Sequence, residues 1–472
     1  MQRRKFMQVA ATSAALPLLT RAGRLFAAPV SSPRFLLVFL RGGYDCANLL
    51  VPYSSEFYYA ARPNIAIAKP LAGAEGAALY STATANSGER VSDAMAVADS
   101  DTKVRNAATS AGSQTNVAGT AAKTVPAANA PDANAASGNP GDPALTNTTP
   151  ALALDSDWAL APALRDSIAP MYRNKEVAFV PFAGTDDLSR SHFETQDNIE
   201  RGEPTAGKQD YTSGFMARLS STLTGKAAPI AFTDALPLTF RGAHDIPNIS
   251  LRAVSKPAFD ERQSQILTSM YAGNHLQSAV SDGLQLREHV AKEFEDEMNA
   301  ANRGAINARG FAIEAQRIGR LMREQYRLGF VDIGGWDTHV NEGGAQGALA
   351  NNLGNLGNGL AAFAQELGPE WKNTVVVVVS EFGRTFRENG NRGTDHGHGS
   401  VYWVLGGGID GGRVAGEQIK VQESTLLQNR DFPVLNNYRS LLAGLYTRMW
   451  GLSATQIGAI FPDTQASDLR LA

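Results

Sequence analysis

The sequence predicts an α/β protein, with a doubly wound, mostly parallel sheet flanked by helices, and three observations carry that expectation. Residues 374–379 read Thr-Val-Val-Val-Val-Val, an apolar run without alternation, as in a strand buried on both faces inside a parallel sheet. Two further apolar runs, 34–40 and 328–333, each lead into a Gly-Gly turn. Between the runs lie stretches rich in helix formers, so strands alternate with helices along the chain. In open sheets of this kind ligands sit outside the carboxyl ends of the strands, which makes the polar residues after each run the candidates for a site.

Composition narrows the functions open to the chain. A formal charge of −3 over 472 residues, with a pI near 6.2, provides no basic field for a phosphate backbone, so nucleic acid is excluded as a partner. Cys46 is the only cysteine, which rules out an internal disulfide. Residues 1–28 combine Arg3-Arg4-Lys5-Phe6 with a short apolar run and read as a twin-arginine signal, with cleavage expected near Ala27 or Ala28. The expectation is a bacterial protein exported folded through the twin-arginine translocase to the periplasm or beyond, with no membrane span in the mature chain. Residues 29–472 are expected to form a single domain. Within it, 71–150 is rich in Ala, Ser, Thr, Asn and Gly with few large apolar groups, and reads as a low-complexity, disordered insertion.

Taken in order, the first strand, 34–40, ends in Arg41-Gly42-Gly43-Tyr44-Asp45, which places Asp45 on the rim. Pro162 is suited to open a short helix running to Tyr172. A second strand over 176–182 is weakened near its end by Pro181. The loop after it turns into a helix at Ser189, Arg190, Ser191 and His192. Residues 255–325 predict two or more helices, and 328–333 a strand leading to Gly334-Gly335-Trp336-Asp337-Thr338-His339. A helix over 347–367 precedes the poly-valine strand, which is followed by Glu381, Arg384, Asp395, His396 and His398. A last strand covers 401–405 and a C-terminal helix 435–450.

Parallel strands point their carboxyl ends the same way, so groups far apart in sequence can converge. Asp45, Asp337, His339, Glu381, Asp395, His396 and His398 supply carboxylate oxygens and imidazole nitrogens without thiolates, a donor set that suits one or two divalent ions, Zn²⁺, Mn²⁺ or Mg²⁺. Arg190 and Arg384 could clamp an anionic oxygen by paired hydrogen bonds, or equally pair with neighbouring acids. Ser191, at a helix N-terminus, is a candidate nucleophile, with Ser189 and Thr185 as alternatives, or each is simply a cap.

The motifs R-G-G-Y-D, S-R-S-H-F-E-T-Q-D, G-G-W-D-T-H, S-E-F-G-R-T and G-T-D-H-G-H-G, in this order behind a twin-arginine signal, resemble domain-of-unknown-function family 1501, which is itself similar to the alkaline phosphatase/sulfatase superfamily. The resemblance implies an alkaline phosphatase-like fold holding two metals, with a Ser, Thr or modified Cys nucleophile after the second strand. Carried over, Asp45 matches the first aspartate, Asp337 and His339 an Asp/His pair, and His396 or His398 a late histidine. An Asp-His pair of the superfamily stands here as Glu381-Phe382, so one ligand is replaced and one is missing. The expectation is therefore an exported metal-dependent hydrolase of small anionic esters, phosphate or sulfate, with Ser191 attacking. The alternative is a non-catalytic periplasmic binding or assembly protein of the same fold with a degenerate metal site.

Overall fold

The computed structural model describes residues 32–71, 149–207, 209–242, 246–249, 261–285 and 311–472. The signal segment and most of the Ala-rich insertion lie outside them. Strand β1 (Arg34–Leu40) matches the expected span, and every residue of it is buried. It is flanked by β7 (Leu328–Ile333) and β8 (Thr374–Ser380), both parallel to it. Leu40 aligns with Ile333 on one side and Ser380 on the other, so the three strands end level and hand their following loops to one rim.

Alternate residues of these strands enter two separate cores, which is the doubly covered arrangement their apolar runs require. Leu36, Val38, Val376 and Val378 pack on one side, against a helix over Phe311–Glu324 and another over Ala348–Leu367. Phe35, Leu37, Val375, Val377 and Val379 pack on the other, against helices over Phe215–Leu223 and Tyr438–Trp450. Among the described residues no helix is long and apolar enough to cross a membrane.

The eight-stranded sheet is mixed, though mostly parallel. Its order is β10-β5-β9-β8-β1-β7-β6, with β11 (Asn436–Asn437) also pairing β5. Here β5 is Val177–Gly184, β6 Pro229–Phe232, β9 Ser400–Leu405 and β10 Arg413–Val414. The exception is β9, which runs antiparallel to both β8 and β5. A parallel return would need a crossover long enough to carry the chain back along the sheet, usually a helix. Residues 381–399 contain neither helix nor strand, so β9 starts where β8 ends. That reversal puts the start of β9 on the same rim as the ends of β1, β5, β7 and β8.

Other departures have local causes. β5 continues past Pro181 through a register shift between Val180 and Ala183, where the proline lacks an N–H for the ladder and Phe182 takes a φ of 53°. The segment read as one helix over 162–172 is a 3₁₀ turn, Pro162–Leu164, and a separate helix, Ile168–Arg173. The edge strand β6 was not expected at all: four residues opening on proline give too little pattern to recognise.

Candidate metal centre

Arg384 assembles the rim. Its side chain is fully buried, and its donors reach the carbonyls of Gly43, Gly42 (2.7 Å), Trp336 (3.3 Å) and Thr394 (3.1 Å) and the carboxylate of Asp337. One guanidinium thus ties together the loops after β1 and β7 and the loop before β9. Two glycines make the approach possible. Gly42 has a φ of 126°, and a Cβ there would lie 2.8 Å from Asp337 N; a Cβ on Gly397 would lie 2.4 Å from the carbonyl carbon of Arg384. Both glycines admit neighbouring backbone. Residues 383–385 pair with 395–398, through Gly383 N–H to His398 O, Thr385 N–H to Asp395 O and Gly397 N–H to Gly383 O, each 2.9 Å, and this short ladder turns His396 inward.

Three imidazoles meet over Asp337. His192, Asp337 and His396 offer ligand atoms that all lie within 4.8 Å of one another. His339 joins them, with its Nε2 3.0 Å from Asp337 Oδ1 and 3.1 Å from His396 Nε2. His396 Nε2 is itself 3.3 Å from Asp337 Oδ1, and His192 Nε2 is 3.7 Å from Oδ2. Donor atoms around a tetrahedral Zn²⁺ with bonds of about 2.0–2.1 Å stand roughly 3.3 Å apart, so these separations match a cation's first shell.

The far nitrogens decide the chemistry. His192 Nδ1 donates to Glu381 Oε1 (2.8 Å), His339 Nδ1 to Asp395 Oδ1 (3.2 Å) and His396 Nδ1 to the carbonyl of Arg190 (3.1 Å). A carboxylate and a carbonyl only accept, so with the proton on Nδ1 each ring turns an Nε2 lone pair inward, whereas Asp337 Oδ1 would accept from the Nε2–H tautomer of His339 or His396. His192 Nε2 is buried with no hydrogen-bond partner. Nε2 of His339 and Nε2 of His396 face each other, with Asp337 Oδ1 in reach of both and Arg384 Nη1 3.4 Å from His339 Nε2. A backing acceptor on Nδ1 is what metal-binding histidines carry, and a cation among the three Nε2 atoms would take their lone pairs.

Charge is arranged to match. The hydrogen bond to Glu381 raises His192 from its ordinary value, while burial lowers His396. Burial alone would raise Asp337, but the hydrogen bond and charge of Arg384 outweigh it and hold the carboxylate ionised. Arg190 sits at a φ of 54°, unusual for a side chain of its size, and its guanidinium is fixed on Asp431 at 2.7 and 2.9 Å. That anchorage aims the Arg190 carbonyl at His396.

The remaining sequence candidates are placed differently. Asp45 is buried and forms a forked pair with Arg62, whose Nη2 donates to Oδ1 at 2.9 Å, so it does not face the cluster as a ligand. Glu381, also buried, accepts at Oε1 from Gly42 N–H (2.8 Å), Gln196 (2.9 Å) and His192, and so orients a histidine from behind. Asp395 does the same for His339 and is itself held by Asn389 at 3.1 Å. His398 is 6 % exposed and has Asp431, Arg190 and Asp187 as charged neighbours. The donors of Arg384 are engaged within the protein, and Arg190 turns its Nε and Nη2 to Asp431. Ser191 precedes the helix over His192–Arg201 and its side chain makes no cap.

Sequence reasoning missed His192 as a ligand, and also Arg62 and Glu342. His192 was visible only as the neighbour of Ser191; its strand-to-helix junction after β5 was the available signal. Glu342 is fully buried, and its Oε2 accepts from Thr338 (2.8 Å) and Thr394 (2.7 Å), linking the loops that carry His339 and His396. Burial and the charge of Asp45 push its carboxyl well above the usual range, and Arg62 offsets this only in part. A carboxyl raised on folding favours the fold while it is protonated in both states, below about pH 4.3, and that contribution is lost as pH rises toward the folded value. Glu342→Gln, which mimics the neutral acid, should therefore gain stability relative to the parent between pH 5 and 9 in urea melts, whereas Glu342→Ala should lose about 1–3 kcal/mol.

Fold and site together define an α/β protein with a cluster of three histidines and an aspartate at the carboxyl rim of its sheet. The profile of a family described as protein of unknown function (DUF1501) matches residues 174–461, well over half of the chain, and the chain belongs to that family. The match spans His192, Asp337, His339 and His396, while Asp45 lies outside it. No curated protein and no solved structure matches the chain.

Proposed function

We propose that this is an exported, metal-dependent hydrolase of phosphate or sulfate esters, of an alkaline phosphatase-like kind, holding one divalent ion on His192, Asp337 and His396 with His339 beside them. The observation that carries the reading is the set of inward Nε2 lone pairs, each backed by an acceptor on Nδ1. In place of the imidazole that the family resemblance leaves absent at Phe382, the helix over His192–Arg201 supplies one: the ring of His192 packs against Phe382 at 5.0 Å and against His396 at 4.3 Å. The carboxylates that a second ion would need, Asp45 and Glu381, are engaged with Arg62 and with His192, which supports one ion rather than two.

In this reading the ion would polarise the ester and favour the ionised form of a nearby hydroxyl. Ser191, which adjoins His192 and is free of capping, would attack the phosphorus or sulfur as the bond to the ester's alcohol breaks and the alcohol leaves with a proton. Water would then hydrolyse the seryl ester to release phosphate or sulfate, the N-terminal N–H groups of the helix facing the anionic oxygens. The twin-arginine translocase remains the proposed export partner. The test is metal analysis of protein purified without chelator, followed by assays on phosphate monoesters, phosphate diesters and sulfate esters. One bound ion with turnover is expected, and Ser191→Ala should lower kcat by a factor on the order of 10³ at unchanged metal content. A bound ion with no turnover across the panel would favour the binding protein instead.

A further inference from the structure

Three polar residues of the helix over His192–Arg201 recur at every fourth position, His192, Gln196 and Glu200, and that spacing lays them along one face. The face meets the loop after β1. Arg41 reaches it with two donors, Nη1 to Gln196 Oε1 at 2.8 Å and Nη2 to Glu200 Oε1 at 2.7 Å, while its Nε is held by Asp332 at 2.8 Å. A guanidinium only donates, so the Gln196 amide has one orientation open to it, oxygen toward Arg41 and nitrogen toward Glu381. Gln196 Nε2 accordingly donates to Glu381 Oε1 at 2.9 Å, and the N–H of Gly42 donates to the same oxygen at 2.8 Å.

Those two donors decide the third hydrogen bond at that oxygen. A hydrogen carried on Oε1 would collide with theirs, so the proton between Oε1 and His192 Nδ1, 2.8 Å apart, sits on the ring. Across the ring, His192 Nε2 is buried, has no hydrogen-bond partner among the described residues and stands 3.7 Å from Asp337 Oδ2. A hydrogen there would be a buried donor left unmet. His339 and His396 lack this constraint, since an acceptor lies within reach of each of their nitrogens. We infer that Gln196, locked by Arg41, is a positioning residue that fixes the tautomer of His192: it keeps the oxygen behind the ring an acceptor whether or not residue 381 is charged, so the Nε2 lone pair is ready before an ion arrives. The consequence for zinc rests on the metal-site reading above; the tautomer does not.

The tautomer is read directly by ¹⁵N NMR of the full chain with labelled histidine, stripped of metal, His192 being assigned by the signals lost in His192→Ala. Glu381→Gln removes the charge but keeps the shape. With Gln196 and Gly42 still donating, the new amide should turn its oxygen to them and its nitrogen to the Ser380 hydroxyl, which lies 2.9 Å from Oε2 of the glutamate, and His192 should keep its hydrogen on Nδ1. Adding Gln196→Met should let that amide turn over and raise the share of the Nε2–H form by about threefold or more, the worth of one hydrogen bond. A ring that changes tautomer in Glu381→Gln alone overturns the inference, because charge would then be deciding. So does a double variant that leaves the tautomer unmoved. Zinc titration gives a second readout: Gln196→Met should weaken binding about fivefold in the parent and not at all on a His192→Ala background. Equal loss on both backgrounds overturns the inference, since Gln196 would then act on the fold and not through His192. A parent that binds no zinc would remove the metal reading and leave the tautomer measurement to decide.

Discussion

Asp337→Asn is expected to strip the protein of its ion: zinc affinity should fall by about 3 kcal/mol, roughly 100-fold, the share of one ligand in a four-ligand site. The substitution leaves an amide oxygen for Arg384, so the loops it ties should stay in place and far-UV circular dichroism should not change. His396→Ala and His192→Ala should lose affinity comparably, while Glu381→Gln, which acts only through the Nδ1 proton of His192, should lose about 10–100-fold. Competition with a chelating dye reads all four. If Asp337→Asn bound zinc as tightly as the parent, the site on His192, Asp337 and His396 would be the wrong assignment. If the parent bound no zinc, the inward lone pairs would need another explanation.

Arg62→Met should be the most destabilising single change in this region, costing about 3–5 kcal/mol in urea unfolding. Arg62 is fully buried and donates to Asp45, to Asn48 at 3.2 Å, and to the carbonyls of Phe386 at 2.8 Å and Thr385 at 3.2 Å. Without it Asp45 would be a carboxylate out of water with no cation, next to Glu342. Burial alone would raise Asp45, and it is chiefly the charge and hydrogen bonds of Arg62 that hold it low. Arg62→Met combined with Asp45→Asn should recover much of the loss, because the uncompensated charge is then gone. A loss under about 1 kcal/mol for Arg62→Met would mean that water reaches this pair.

Much of the fold was legible because its signals are local. β1, β7 and β8 are runs of apolar residues with no alternation, and only a strand covered on both faces makes use of such a run. The direction of β9 was not legible, since an apolar run looks the same in either sense and the deciding fact was that residues 381–399 form no crossover helix. The site divided in the same way. Asp337, His339 and His396 could be read from glycine-flanked turns at strand ends, whereas the roles of Asp45, Glu381 and His192 depended on partners 17, 189 and 145 residues away.

By itself, then, the sequence determined where the long central strands lie, which ends of those strands carry acids and imidazoles, and to which family the motifs point, because periodicity and turn chemistry act over a few residues. Only the tertiary structure decided which carboxylates face the cluster and which are neutralised by arginine. That choice turns on side-chain partners contributed by distant strands, and burying a charge without a partner costs more than any local preference can supply.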